Sequence, residues 1–129
     1  MTASTGVPAA LLISGDLFFT SRITGTGSAV GVRVEVVSNP AQALERAASG
    51  GFRCVLLDLD FRGLSSAELM AALAAEKPPP VIAFGPHVAT AKFEEARNAG
   101  CTEVLPRSRF TAILPDLLRR YGGVADGTA

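Results

Sequence analysis

The sequence has no tryptophan, one tyrosine, one histidine and two cysteines, and its charges balance. One histidine and two cysteines are too few to favour a structural zinc site, which takes four such ligands. Twelve basic residues stand against twelve acidic ones. This balance does not favour nucleic-acid or anionic-membrane binding through a broad electrostatic field. Cys54 opens an apolar run and is expected to be a small buried residue.

Long hydrophobic runs are also missing. No apolar run approaches the roughly 20 residues that a membrane-spanning helix needs. The first residues lack the basic segment followed by an apolar stretch that is typical of a signal peptide, so we expect a cytoplasmic protein. The 129 residues, 48% of them hydrophobic, suit one globular domain with a real core. We expect a flexible N-terminus (1–8), one domain (9–123) and a short polar tail (124–129).

Four short apolar runs rich in valine, isoleucine and leucine recur along the chain, and a fifth, weaker run follows. Such runs are typical of strands that are buried on both faces of a parallel sheet. The five predicted strands are AALLIS (9–14), VRVEVVS (32–38), CVLLDLD (54–60), PVIAF (80–84) and TEVLP (102–106).

Stretches of helical composition lie between these runs. Four of them are predicted helices, at 40–51, 65–77, 90–100 and 109–123. Ser65 and Glu68 have the spacing of a capping box at the start of the second of these. Pro115 predicts a kink or a late start in the last one. The remaining connection, 17–31, contains TGTGS, a poor helix sequence, and is expected to form a short or broken helix.

The alternation of strands and helices predicts a single doubly wound α/β domain. We expect a five-stranded parallel sheet in the flavodoxin-like order 2-1-3-4-5, with helices on both faces. In such sheets, ligands and reactive groups gather at the carboxyl ends of the strands. Asp16 follows the first strand, Asp58 ends the third and Arg107 follows the fifth. These three side chains are therefore expected to meet at one crevice.

The segment CVLLDLDFRGLSS (54–66) resembles the phosphoacceptor segment of response-regulator receiver domains. There, an apolar strand ends in an aspartate and runs into a glycine-containing turn before a helix. The resemblance covers about residues 9 to 121, in the family's order of elements. It implies a signalling domain of a two-component or phosphorelay system, which is not an enzyme. It also implies that Asp58 is the candidate phosphoacceptor and that Mg²⁺ neutralises charge as the phosphoryl group arrives.

Several positions depart from the pattern of that family. The resemblance implies two acidic residues after the first strand, and Asp16 matches one of them. The departures are Gly15 for the other acid, Gly85 for a serine or threonine after the fourth strand, Val104 for an aromatic residue on the fifth strand, Arg107 for a lysine, Ser108 for the following proline and Arg62 for a loop proline. Gly85 and Val104 remove both halves of the hydroxyl–aromatic coupling, so we predict a degenerate receiver, or pseudo-receiver, with atypical or lost phosphoryl switching.

Two hypotheses for Asp58 follow. In one, Asp58 is phosphorylated, and Asp16, Asp58 and Asp60 hold Mg²⁺; Asp60 would point the same way as Asp58 if the strand continued. In the other, Asp58 forms a standing ion pair with Arg107, which keeps the charge of the family's lysine on a planar guanidinium group. With one acidic position lost, we expect Mg²⁺ to bind weakly or not at all, and Asp60 to be a solvated loop carboxylate.

The expected mode of action is protein–protein contact. The resemblance implies a signalling partner, which is a histidine kinase or an output domain, and a candidate homodimer face on the fourth helix, fifth strand and fifth helix. The charges expected on that face are Lys92, Glu95, Arg109 and Arg120. Binding of a small molecule or nucleotide at the crevice is a second alternative, although GTGSAVG (25–31) lacks the lysine of a phosphate loop. His87 has no partner motif and is expected to be exposed.

Overall fold

The computed structural model describes residues 9–73 and 78–122. The strands are β1 (Ala9–Ile13), β2 (Arg33–Val37), β3 (Cys54–Asp58), β4 (Val81–Gly85) and β5 (Glu103–Pro106). The helices are α1 (Leu17–Val30), α2 (Pro40–Ser49), α3 (Ser66–Ala72), α4 (Thr90–Ala99) and α5 (Arg107–Tyr121). The predicted N-terminus (1–8), the polar tail (124–129) and the end of the third predicted helix segment (74–77) lie outside the described residues.

The five strands form one parallel sheet in the order β2-β1-β3-β4-β5. This arrangement confirms the predicted fold class. The register places Ile13 beside Leu57, and Asp58 beside Phe84. Because all strands run in the same direction, their carboxyl ends share one edge of the sheet, and the loops that follow them surround the end of β3.

Two hydrophobic clusters lie on opposite faces of the sheet. One contains buried side chains from α2, α3 and α4, and the other contains buried side chains from α1 and α5. Residues of β1 alternate between the clusters, with Leu11 in the first and Leu12 in the second. Strands covered on both faces read as continuous apolar runs, which explains why they could be predicted. No helix in the described ranges is long and apolar enough to cross a membrane.

The expectation of a short or broken first helix was wrong, because α1 is continuous over 14 residues. Asp16 fixes its start, since its Oδ1 accepts the N–H of Phe19 at 3.0 Å. Gly31 ends it in the left-handed conformation, with φ at 83°. Phe19 and Ile23 are buried against the sheet. Capping and burial of one face therefore outweigh the weak helix propensity of TGTGS.

One glycine in that segment is required by packing. A Cβ atom on Gly27 would lie 2.6 Å from the carbonyl oxygen of Val32 and 2.7 Å from Cγ2 of Val34. The helix passes so close to β2 that no side chain fits there. Gly25, by contrast, is exposed and has no atom within 4 Å of its Cβ position.

The last helix begins earlier than predicted. It starts at Arg107, two residues before the expected boundary, and runs through Pro115 to Tyr121, so the idea that Pro115 marks a late start was wrong. Four of its apolar side chains are buried, namely Phe110, Leu114, Leu117 and Leu118. Their packing offsets the backbone hydrogen bond that proline cannot donate. The early start places Arg107 at the carboxyl edge of the sheet.

The predicted capping box at the start of α3 is present. The hydroxyl of Ser65 accepts the N–H of Glu68 at 3.1 Å, and the carboxylate of Glu68 accepts the N–H of Ser65 at 2.9 Å. The two bonds satisfy backbone donors that the first turn of a helix leaves free. They also fix the far end of the loop that follows Asp58.

Two glycine substitutions test the close approach of α1 to β2. We expect Gly27→Ala to lower the free energy of unfolding by about 1–3 kcal/mol, because the new methyl group meets backbone and a branched side chain. Gly25→Ala is the matched control and should raise it by about 0.5–1 kcal/mol, because alanine favours the helix. Urea unfolding followed by circular dichroism measures both. Equal stability of the two variants would contradict the packing described for Gly27.

Candidate functional site

Asp58 ends β3 and is 2% exposed. Its Oδ2 accepts a hydrogen bond from the Ser14 hydroxyl at 2.7 Å, and its Oδ1 accepts one from the backbone N–H of Asp60 at 2.9 Å. A carboxylate removed from water needs such partners, because otherwise its desolvation is strongly unfavourable. Both oxygens of the candidate acceptor are thus engaged within the protein.

Ser14 was given no role in the sequence-based assignment, which placed Asp16 beside the acceptor. Since Ile13 pairs with Leu57, the next residue, Ser14, comes beside Asp58. Ser14 is buried, and its oxygen also accepts the N–H of Asp16 at 3.2 Å. A polar residue directly after a buried strand, read together with the register, is the signal that could have identified it.

Arg107 lies at the start of α5 and reaches over the end of β3. Its Nη2 lies 3.7 Å from Oδ1 of Asp58 and 3.4 Å from Oδ2 of Asp60. The ion pair expected between Asp58 and Arg107 is therefore present. The guanidinium carbon also lies 5.0 Å from the centre of the Phe19 ring, which is within the range of a cation–π contact. Nothing in the spacing of the sequence pointed to Phe19 as part of the site.

Asp60 does not continue the strand, which ends at Asp58, but lies in the following turn. The condition under which strand alternation would align Asp60 with Asp58 is therefore not met. The Asp60 side chain is exposed, as a loop carboxylate would be, yet it is not isolated. Besides the contact with Arg107, its Oδ1 lies 3.7 Å from Nζ of Lys92 on α4. Asp60 is the second carboxylate of a small charge cluster.

This cluster sets two carboxylates, Asp58 and Asp60, against two cations, Arg107 and Lys92. Mg²⁺ is bound by oxygen ligands whose negative charge it neutralises. Within residues 9–73 and 78–122, no three or more histidine, cysteine, aspartate or glutamate side chains are placed to hold a metal ion. Asp16, Asp58 and Asp60 line the same crevice but do not form such a group, and Oδ1 of Asp16 is engaged in capping α1. Mg²⁺ commonly takes only one or two protein carboxylates, so the feature that opposes its binding here is the contact of Arg107 and Lys92 with Asp58 and Asp60.

Packing fills the space where a hydroxyl side chain was expected. A Cβ atom on Gly85 would lie 3.2 Å from Cβ of Leu59 and 3.4 Å from the Phe93 ring. Val104 is half-buried on β5 and packs against the cluster beneath α2, α3 and α4. Ser108 is exposed in the first turn of α5, and every peptide bond of the described residues is trans. Because the Cβ position of Gly85 already lies close to Leu59, replacing Gly85 by serine would crowd the Leu59 side chain.

The crevice above these side chains is open, with a volume of about 470 Å³. Its lining consists of Gly15, Asp16, Ser38, Asp58, Asp60, Phe61, Arg62 and Arg107. The predicted convergence of Asp16, Asp58 and Arg107 is thus found. Gly15 has no atom within 4 Å of its Cβ position, so packing does not explain the missing acid there. His87 is exposed in the turn after β4 and does not line this crevice.

The two cysteines do not add a reactive group. Burial raises the pKa of the Cys54 thiol to about 12 and that of the Cys101 thiol to about 11. The thiolate is the nucleophilic form of cysteine, and it is scarcely populated at neutral pH when the pKa is this high.

No family model matches the sequence, and no curated protein matches it. Solved structures are similar in fold. The receiver domain of a sensor histidine kinase from Pseudomonas aeruginosa PAO1, with a magnesium ion coordinated in its active-site cleft, is 22% identical, with a TM-score of 0.75 over 90% of this chain and 98% of that one. A chemotaxis response regulator of Vibrio cholerae is 19% identical, with a TM-score of 0.74 over 89% and 98% of the two chains.

A third similar structure is a receiver domain of Saccharomyces cerevisiae, co-crystallised with a histidine phosphotransfer signalling protein. It is 14% identical, with a TM-score of 0.74 over 88% of each chain. Likeness at these identities shows the fold alone. The chain has the fold of response-regulator receiver domains, as its resemblance to the family implied. The bound magnesium and the protein partner are properties of those other molecules.

The bond from Ser14 to Asp58 is tested by Ser14→Ala. We expect the free energy of unfolding to fall by about 1–3 kcal/mol, because a buried carboxylate oxygen loses its donor. Ser108→Ala, at an exposed position, is the matched control and should change stability by less than about 0.5 kcal/mol. Urea unfolding at neutral pH gives both values. If the two variants are equally stable, the hydroxyl does not support Asp58 as described.

Proposed function

We propose that this chain is a receiver-like signalling domain that acts through protein–protein contact and is not switched by phosphorylation. The observation that carries the proposal is the environment of Asp58. Its two oxygens accept hydrogen bonds from Ser14 and from the Asp60 backbone, while Arg107 lies within ion-pairing distance. The carboxylate of Asp58 therefore already has hydrogen-bond donors and a counter-ion in the folded, unmodified protein.

The contacts of Asp58 support this proposal, because phosphoryl transfer to an aspartate makes two demands on the site. The attacking oxygen must be free to approach phosphorus, and fixed cations must neutralise the charge of the transferred group. In this chain, Oδ2 of Asp58 is held by Ser14, and Arg107 is shared with Asp60. The second cation, Lys92, contacts Asp60 as well. Both cations near Asp58 therefore already form ion pairs with carboxylates of the protein.

Exposed apolar side chains support action by contact. Within the described residues, Leu17 is 84% exposed, Phe18 92% and Val88 73%. Leu17 and Phe18 lie in the first turn of α1, and Val88 lies in the turn after β4. Both turns follow the carboxyl ends of strands, so these apolar side chains lie at the same edge of the sheet as Asp58. Leu17 and Phe18 are consecutive residues of α1, and adjacent exposed apolar side chains of this kind support contact with a protein partner.

The proposed partner is a signalling protein, either a histidine kinase or an output domain. The receiver fold supports this proposal, and so does the yeast receiver domain that was crystallised with a histidine phosphotransfer protein. The domain would work as a binding module in the cytoplasm and not as an enzyme. The protonated state of both thiols, and the position of His87 away from the crevice, support a domain that is not an enzyme.

A homodimer through α4, β5 and α5 is also proposed. Of the charges expected there, Lys92 contacts Asp60 and Arg120 lies 3.8 Å from Glu103, whereas Glu95 and Arg109 are exposed. We expect Arg109→Glu to weaken self-association, because it reverses a charge on this face. Sedimentation velocity over a range of concentrations measures the effect. Exposed Arg53, which lies before β3, provides the matched control Arg53→Glu.

A working phosphoacceptor is the second candidate function, and the position of Asp58 at the end of β3 with a cation 3.7 Å away favours it. Incubation with Mg²⁺ and acetyl phosphate, followed by prompt intact-mass measurement, separates the two. We expect no gain of a phosphoryl mass, because Asp58 stays paired. Asp58→Asn is the negative control. A receiver domain that is known to react is the positive control, which shows that the acetyl phosphate is active.

Beryllofluoride provides an independent readout of the same experiment. We expect fluorine NMR to show no bound signal in the presence of Mg²⁺. A phosphoryl mass or a bound fluorine signal that disappears in Asp58→Asn would reject the proposed function in favour of the phosphoacceptor.

A further inference from the structure

We infer that Arg107 is a resident counter-ion of Asp58 and Asp60, held in place by the ring of Phe19. In this arrangement the guanidinium group supplies the positive charge that the two carboxylates require. The fold of the crevice then does not depend on a bound divalent cation. Phe19 is a positioning residue, since it acts on the carboxylates only through Arg107.

The contacts of Arg107 carry this inference. One nitrogen, Nη2, reaches both carboxylates, at 3.7 Å for Asp58 and 3.4 Å for Asp60. The Nε atom is buried and has no hydrogen-bond partner within the part of the chain that the structure describes. A buried donor without an acceptor is unfavourable. The chain tolerates it here because the guanidinium group is aligned with the carboxylates and lies against an aromatic ring.

The ring beneath Arg107 is itself fixed. The centre of the Phe19 ring lies 5.1 Å from that of Phe84 and 5.9 Å from that of Phe110. The rings of Phe84 and Phe110 stack at 4.2 Å, and both side chains are completely buried. These three rings come from α1, β4 and α5, so the position of Arg107 is determined by the core on that face of the sheet.

A divalent cation and Arg107 would compete for the same carboxylates. A cation bound to Asp58 and Asp60 would stand next to the guanidinium group, and the two like charges would repel. While Arg107 is in place, the charge of both carboxylates is already balanced, with Lys92 contributing at Asp60. Removing Arg107 leaves Asp58 buried beside Asp60 without its counter-ion. We then expect divalent cations to stabilise the chain that lacks Arg107 and to leave the stability of the natural chain unchanged.

The inference rests on the proposed function in one respect, because both take Asp58 to be unmodified and paired. Its test needs no phosphodonor. Phosphorylation of the natural chain would therefore reject the proposed function, whereas the counter-ion role is decided by melting temperatures alone.

Thermal unfolding of Arg107→Ala is the central measurement. We expect its melting temperature to fall by on the order of 10 °C, because a buried charge loses its partner. Millimolar Mg²⁺ or Ca²⁺ should restore part of this loss. The natural chain and the control Arg62→Ala, which removes an exposed arginine that lines the same crevice, should show no shift with either cation.

Two further variants identify the residues that Arg107 serves. In the background of Asp58→Asn, the loss caused by Arg107→Ala should shrink several-fold, and the response to cations should weaken. Phe19→Leu should lower the melting temperature more when it is made in the natural chain than when it is made in Arg107→Ala. Only the natural chain still has the Arg107 guanidinium group that the Phe19 ring positions.

Three outcomes would overturn the inference. In the first, Mg²⁺ raises the melting temperature of the natural chain as much as that of Arg107→Ala. In the second, Arg107→Ala lowers the melting temperature equally in the presence and absence of Asp58. In the third, the melting temperature of Arg107→Ala responds to neither cation. If Arg107→Ala does not fold, Arg107→Lys provides the reading. The lysine ammonium keeps the positive charge but cannot stack on the Phe19 ring as the planar guanidinium group does. The melting temperature of Arg107→Lys should therefore fall less than expected for Arg107→Ala, and it should respond to cations more than that of the natural chain.

Discussion

A carboxylate buried at the end of a central strand must be hydrogen-bonded and neutralised, and the crevice of this protein is arranged around that requirement. Asp58 meets it with a hydroxyl from the end of β1, a backbone N–H from its own turn and a guanidinium group from the start of α5. The parallel sheet makes this possible, because the strands that precede these groups end at the same edge. Three separate connections are thereby tied to one side chain.

The same arrangement determines which face of the sheet is connected to the acceptor position. Contacts from Asp58 lead through Arg107 to Phe19, and from there to the aromatic core beneath α1 and α5. On the opposite face, Leu59 and Phe93 close around Gly85, so no hydroxyl group links the crevice to β5. The fold is that of a receiver, and in the proposed function a change of charge at Asp58 would act through Arg107 and Phe19.

Much of the fold could be predicted from the sequence, because strands covered on both faces produce apolar runs without any knowledge of their neighbours. The meeting of Asp58 and Arg107 followed from strand ends in the same way. The continuity of α1 could not be predicted, since it depends on the cap from Asp16 and on burial against β2. The roles of Ser14 and Phe19 depend on strand register and on stacking between elements, which spacing along the chain does not encode.

The pairing of two carboxylates with two cations also has a kinetic consequence. The crevice carries no net charge from these four groups, and the whole chain has twelve basic and twelve acidic residues. Such a surface generates little long-range field to guide an approaching molecule. Encounters with a partner would then proceed at the unsteered rate of roughly 10⁵–10⁶ M⁻¹s⁻¹ and would change little with ionic strength. Recognition of the proposed partner would then depend on short-range contacts, such as those that the exposed side chains of Leu17 and Phe18 can make.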